Sequence, residues 1–275
     1  MIDSERLIPT PRRAARYVEL STSKAIQTAL WQARETGDPS LVIGRSGVGK
    51  SAAIAEILAD GQALGCTMTA AYHDRTGIYR MLLEVYGIHA PRRGTTKELS
   101  ERVYGEIRGR YEDIEPLIID EYQGIELTAL RELLKVQDAL GMALVLVGNG
   151  ETIAERRKTE QQEAMEQIIN RYGLTVRIDG LLDSDFEALA DEWMVEPTPH
   201  TRAAVQAYGR RFSLHQLTML LRQARELAAI GPTRFEHLQT VVALANPDRL
   251  TVFSPPVTKL SHRRAQAQND DKNQP

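Results

Sequence analysis

The chain has 275 residues, 42% of them hydrophobic and 26% charged, with a formal net charge of −3. That length and balance provide for one large α/β domain plus a small helical one, with a sizeable buried core. Three classes fall away: a membrane-spanning chain, since no run of 18 uncharged apolar residues occurs; a disulfide or cysteine-metal scaffold, since Cys66 is alone; and a uniformly basic nucleic-acid binder, since the field is weakly acidic. Any nucleic-acid contact must then come from local basic patches.

Residues 1–17 carry two prolines and Arg12, Arg13 and Arg16 with little periodicity, and are read as an N-terminal arm. They hold no apolar signal-peptide core, so a cytoplasmic protein is expected. From Val18 an amphipathic helix is predicted, with Ser21 or Thr22 near its start and Gly37 after its end. Five short apolar runs then read as buried strands: LVIG from 41, CTMTAAY from 66, PLIID from 116, ALVLVGN from 143 and LTVRI from 174. Helical stretches separate them, which predicts a mostly parallel, five-stranded sheet flanked by helices over residues 18–180. Four helix-period segments without a strand follow, a small all-helical domain over 181–246. From Pro247 to 275 the chain turns polar and proline-containing and is read as a flexible tail. Val252, Phe253, Val257 and Leu260 there are either anchors for a partner or an unselected terminus.

The stretch GRSGVGKS matches the G-x-x-x-x-G-K-[ST] phosphate loop, leaving a strand at Gly44 and opening a helix at Ser51. Gly44, Arg45, Ser46, Gly47, Val48, Gly49, Lys50, Ser51 and Ala52 are the nucleotide-binding candidates. The glycines let successive N–H groups face phosphate oxygens, and the helix start adds its positive dipole end. Lys50 is assigned to the β and γ phosphates and Ser51 to Mg²⁺, so ATP and Mg²⁺ are the expected cofactors. PLIIDEYQ delivers Asp120 to the metal and Glu121 to the attacking water; the adjacent glutamate favours hydrolysis over transfer to a metabolite. Asn149, after the next strand, is placed to sense the γ-phosphate or the lytic water, although Asn-Gly is also a turn dipeptide.

Cradle, DE strand end, polar strand-end residue and helical lid, in that order, resemble an AAA+ ATPase. LVIGRSGVGKS, LIIDEYQGI, ALVLVGNGE and IINRYG resemble the transposition-regulator branch that includes MuB, TnsC and TniB, to which ExeA-type ATPases are related. The resemblance implies an active site shared between subunits, with Arg171 supplied by the neighbour, where the alternative is an arginine capping a helix end. It places His215 where relatives carry a lid arginine; a structural histidine is the other reading. It implies a homo-oligomer, ring or filament, on double-stranded DNA, a DDE-type transposase partner, and no membrane role. An ExeA-like secretion ATPase and a replication-type loader are the alternatives. Arg75, Thr76 and Arg80 in one stretch, and Arg92, Arg93, Thr95, Thr96 and Lys97 in another, are the DNA candidates. Thr95 with Glu98 also reads as a capping box.

Overall fold

The computed structural model describes residues 8–14, 16–91, 93–110, 114–149 and 171–253. Side-chain alternation decides the layering, because successive strand residues face opposite sides. Leu41, Ile43, Leu117, Ile119, Leu144 and Leu146 enter one apolar cluster. Their neighbours Val42, Ile118, Val145 and Val147 enter another. The strands β1 (Ser40–Gly44), β3 (Leu117–Asp120) and β4 (Leu144–Gly148) are therefore covered on both faces, as a parallel sheet requires, while β2 (Leu64–Thr67) has half-buried residues at both its ends. β5 (Leu174–Ile178) alternates half-buried with exposed residues, which suits an edge. All pairings are parallel and the order is β2-β3-β4-β1-β5.

On the first face pack α3 (Arg75–Val85), α4 (Thr96–Arg102) and α6 (Leu127–Leu140). A π-helical turn (Val103–Ile107) and the short α5 (Arg108–Arg110) continue α4. On the opposite face pack α1 (Ser21–Thr36) and α2 (Lys50–Ala59). α1 begins at Ser21 rather than Val18 and ends where Gly37, at φ 73°, accepts the left-handed turn that glycine adopts without strain.

The four helices predicted at the C-terminal side are α7 (Asp183–Glu192), α8 (Pro199–Arg211), α9 (Leu214–Ala228) and α10 (Phe235–Ala245). They share a core built on Phe186, Leu189, Val205, Leu217, Leu221 and Leu238. Two expectations fail at its edges. Pro247–Phe253, read as the start of a flexible tail, is a 3-10 helix, and Leu250, Val252 and Phe253 pack on this core. Phe253 lies 5.6 Å from Phe235 and 6.2 Å from Tyr208, ring centre to ring centre. Their apolar surface is satisfied within the chain, which removes Val252 and Phe253 as free anchors; Val257 and Leu260 lie outside the described residues.

The arm is likewise docked. Ile8 is buried in the sheet core, Pro9 accepts a hydrogen bond from Thr67 N at 2.7 Å, and Arg13 pairs with Glu56 at 2.6 Å. Arg16 donates to the Glu192 carbonyl at 3.0 Å and lies 4.8 Å over the Trp193 ring. Among the described residues, no helix is long and apolar enough to cross a membrane.

Candidate functional site

The sheet order decides which strand ends meet. β4 lies between β1 and β3, with Ile43 beside Gly148 and Asp120 beside Val147. The loop after β1, Asp120 and Asn149 therefore converge at one edge of the sheet. The loop runs Gly44 to Gly49 before α2, with Gly47 at φ 81° and Gly49 at φ 96°. Both angles lie where a side chain is strained. Arg45 and Ser46 are exposed, while Val48 buries its side chain in the core and its carbonyl accepts from Thr22 Oγ1 at 2.9 Å. That anchor pins the loop from beneath.

Lys50 is 7% exposed, and its Nζ donates to the carbonyls of Gly44 at 2.7 Å and Arg45 at 3.0 Å. Burial holds its pKa below the ordinary lysine value, against the opposing pull of Asp120 and Glu121. Ser51 Oγ donates to Asp120 Oδ2 at 2.6 Å. Burial raises the Asp120 pKa and the Ser51 bond lowers it, leaving a net upward shift. Hydroxyl and carboxylate thus already stand side by side, from elements 69 residues apart. Glu121 follows at φ 57°, and the Gln123 amide donates to its carboxylate. A non-glycine residue in this region is uncommon and accumulates at functional turns. Asn149 is half-buried at the end of β4. Ala52 lies half-buried in the first turn of α2.

Loop, N-terminal segment and helical domain enclose a cavity of about 380 Å³. The loop side contributes Ser46, Gly47, Gly49, Lys50, Ser51 and Ala52, with Glu121 beside them. The other walls contribute the apolar side chains of Tyr17, Val18 and Leu20 from one side and of Leu189, Trp193 and Leu214 from the other. No local motif marks these residues, so sequence reading missed them. His215 also lines the cavity. The helical domain touches the loop directly, with Leu214 N donating to Gly47 O at 2.9 Å. A Cβ on Gly47 would meet Ser213 Cβ at 2.7 Å, and one on Gly49 would meet Leu214 Cδ2 at 2.8 Å.

Arg171 is elsewhere. β5 pairs with β1 from Leu174 opposite Ser40 to Ile178 opposite Gly44, so Arg171 precedes the strand end opposite to the loop. At about 3.3 Å per residue the strand alone separates them by roughly 16 Å. Arg171 cannot serve the cavity of its own chain. The DNA candidates lie apart from the cavity too. The side chains of Thr76 and Thr96 are hydrogen-bonded at 2.7 Å, which brings the starts of α3 and α4 together. Arg75, Arg93 and Lys97 are exposed around that contact. Arg80 is half-buried, and Arg92 lies outside the described residues. The capping box at Thr95 forms, with Glu98 N donating to Thr95 Oγ1 at 3.2 Å and Thr95 N to Glu98 Oε2 at 2.7 Å.

A parallel sheet of this order, with a phosphate loop on one strand, the carboxylate strand two places away and a helical lid over the loop, defines an ATPase of the AAA+ class. A family model described as "AAA domain" matches residues 33–157. The Mu-like prophage FluMu DNA transposition protein B of Haemophilus influenzae is 32% identical over 200 residues, covering 70% of this chain and 67% of that protein. The chain belongs to the transposition protein B family of AAA+ ATPases.

Solved structures resemble it in fold. Cdc6p of Pyrobaculum aerophilum superposes with a TM-score of 0.55 at 17% identity, covering 78% of this chain and 65% of that one, just under two thirds. The ORC2 protein of Aeropyrum pernix gives 0.57 at 14% identity, over 88% of this chain and 70% of that one. The RuvB Holliday junction branch migration motor of Thermotoga maritima gives 0.50 at 14% identity, over 86% and 72%.

Proposed function

We propose that the chain is an ATP-dependent transposition regulator of the cytoplasm that assembles, as filament or ring, on double-stranded DNA. There it marks the target and recruits and activates a DDE-type transposase, with a target-selecting adaptor where one exists, and ATP hydrolysis drives disassembly. The kinship with a DNA transposition protein supports the setting. The observation that carries the DNA part is the Thr76–Thr96 contact, which gathers Arg75, Arg93, Thr96 and Lys97 on one surface away from the cavity. Arg92 joins them in sequence. Thr95 is occupied by its cap, so its contribution is to hold the loop. Such contacts are to phosphates and are sequence-neutral.

The cavity suits ATP: an apolar slot for a base and a glycine loop whose N–H groups face phosphates. The donor set suits Mg²⁺, since the Ser51 hydroxyl and the Asp120 carboxylate are adjacent. Bound there, the cation neutralises charge on the phosphates. Lys50 exchanges its two carbonyl partners for phosphate oxygens. Glu121 accepts a proton from the attacking water as its oxygen bonds to the γ-phosphorus and the bridge to the β-phosphate breaks, giving ADP and phosphate. Asn149 orients that water, and Arg171 of a neighbouring copy meets the developing charge.

The test is electron microscopy of the Glu121→Gln form with ATP, with and without duplex DNA, together with salt titrations of binding. Nucleotide-dependent assemblies coating the duplex are expected. Arg75→Ala, Arg93→Ala and Lys97→Ala should each weaken binding to all sequences alike and reduce the salt slope by about one. A protein that ignores DNA in every nucleotide state would refute the proposal.

A further inference from the structure

Arg171 is not alone where it stands. It shares a cleft of about 350 Å³ with Arg131 and Lys135 of α6, Arg75 of α3, Thr128 and Glu132. Among the described residues, four cations therefore share the cleft with one carboxylate. That carboxylate is already engaged, accepting from Tyr79 Oη at 2.6 Å and lying 3.5 Å from Lys135. Arg131 is exposed, and among the described residues it has neither a hydrogen bond nor an ion pair. Guanidinium groups gathered around one concavity repel each other until an anion enters, and their planar forks match phosphate oxygens.

We infer that Arg131 is a second phosphate-contacting arginine, which one copy of the chain presents beside Arg171 to the nucleotide held by the next copy. The inference rests on the reading that Arg171 acts across a subunit boundary. Its own observations are three. First, Arg131 and Arg171 face one cleft although 40 residues of sequence separate them. Second, α6 packs on the sheet face opposite to α2, and Arg131 is not among the residues that line the nucleotide cavity of its own chain. Third, among the described residues, few cations line the cavity of each chain. Arg16, Lys50 and His215 line it, and Arg16 is tied to Glu192 at 3.3 Å and to Trp193. Among the described residues, Lys50 is then the one cation of the cavity committed to the loop, and the charge that spreads over the transferred phosphoryl oxygens needs more. The cleft supplies it in trans.

Subunit mixing tests this with the full-length protein. Arg131→Ala should lower kcat for ATP about ten- to a hundredfold, as loss of one charge-assisted contact does, with binding of a slowly hydrolysed ATP analogue to the isolated chain unchanged. Arg131→Lys should recover part of the rate, because charge returns without the fork. Lys50→Ala chains have no working cradle but keep both arginines. Mixed with Arg131→Ala chains, they should restore hydrolysis above the sum of the two preparations assayed apart, and so should their mixture with Arg171→Ala chains. Recovery with Arg171→Ala but not with Arg131→Ala overturns the inference and leaves the trans reading of Arg171 intact. Recovery with neither overturns both. If Arg131→Ala hydrolyses ATP normally and instead lowers the salt slope of duplex binding, the cleft belongs to the DNA surface and the inference is wrong.

Discussion

At Gly47 two constraints coincide, a backbone at φ 81° and the Ser213 side chain in the space a Cβ would take. An L-residue in that region costs on the order of 1 kcal/mol, and the clash adds to it. Because the neighbour at 2.7 Å is itself a Cβ, close to backbone, it cannot swing aside as the end of a long side chain would. Gly47→Ala is therefore expected to displace the lid from the loop and weaken ATP binding by more than about tenfold. Titration calorimetry with an ATP analogue checks it, and wild-type affinity would show that the lid contact is dispensable. Spacing marked Lys50 and Ser51 as candidates, since strand, loop and helix follow one another without a break, and marked Asp120 as a candidate by its place at the end of an apolar strand. The partners of Lys50, two carbonyls of its own loop, were not.

Among the elements, α8 shows packing set against local preference. Gly209 lies inside this helix, where replacement by alanine would gain about 1 kcal/mol of helix propensity. A Cβ there, however, would run into the Phe186 ring and meet Leu217 Cδ2 at 2.9 Å, both in the lid core. Overpacking of this kind costs about 1–3 kcal/mol and outweighs the propensity gain. Gly209→Ala should lower the denaturation midpoint of the protein, and a raised midpoint would mean that the ring moves freely. The helices themselves were legible, because each carries apolar residues at helical spacing. The 3-10 segment Pro247–Phe253 was not. Its polar composition resembles a tail, and only the aromatic surface of Tyr208 and Phe235 makes burial of Phe253 favourable.

For the whole molecule the decisive contacts are those that couple lid to sheet domain. Asp185 of α7 is 4% exposed and accepts from Ser21 N at 2.7 Å, Ser21 Oγ at 2.5 Å and Leu182 N at 2.7 Å. It joins the first turn of α1 to the first turn of the lid, one wall of the nucleotide cavity to the other. Removing a buried acceptor strands its donors at about 1–3 kcal/mol. Asp185→Ala should lower the Tm by roughly 2–4 °C for each kcal/mol lost and weaken ATP binding as well. A loss of stability with unchanged affinity would show that the carboxylate serves the lid alone.

The sequence by itself determined the class of chemistry. A phosphate loop, a carboxylate strand end and a run of lid helices are contiguous patterns, and each works through backbone geometry that its own residues impose. Tertiary structure alone decided what closes the site and what faces outward. Ser21 and Asp185 are 164 residues apart, and the two basic threonine stretches meet through a bond spanning 20. Arg131 is one more charge on an amphipathic helix until the fold sets it beside Arg171. Such pairings depend on strand order and on which helix covers which face of the sheet, and these follow from the packing of the whole core.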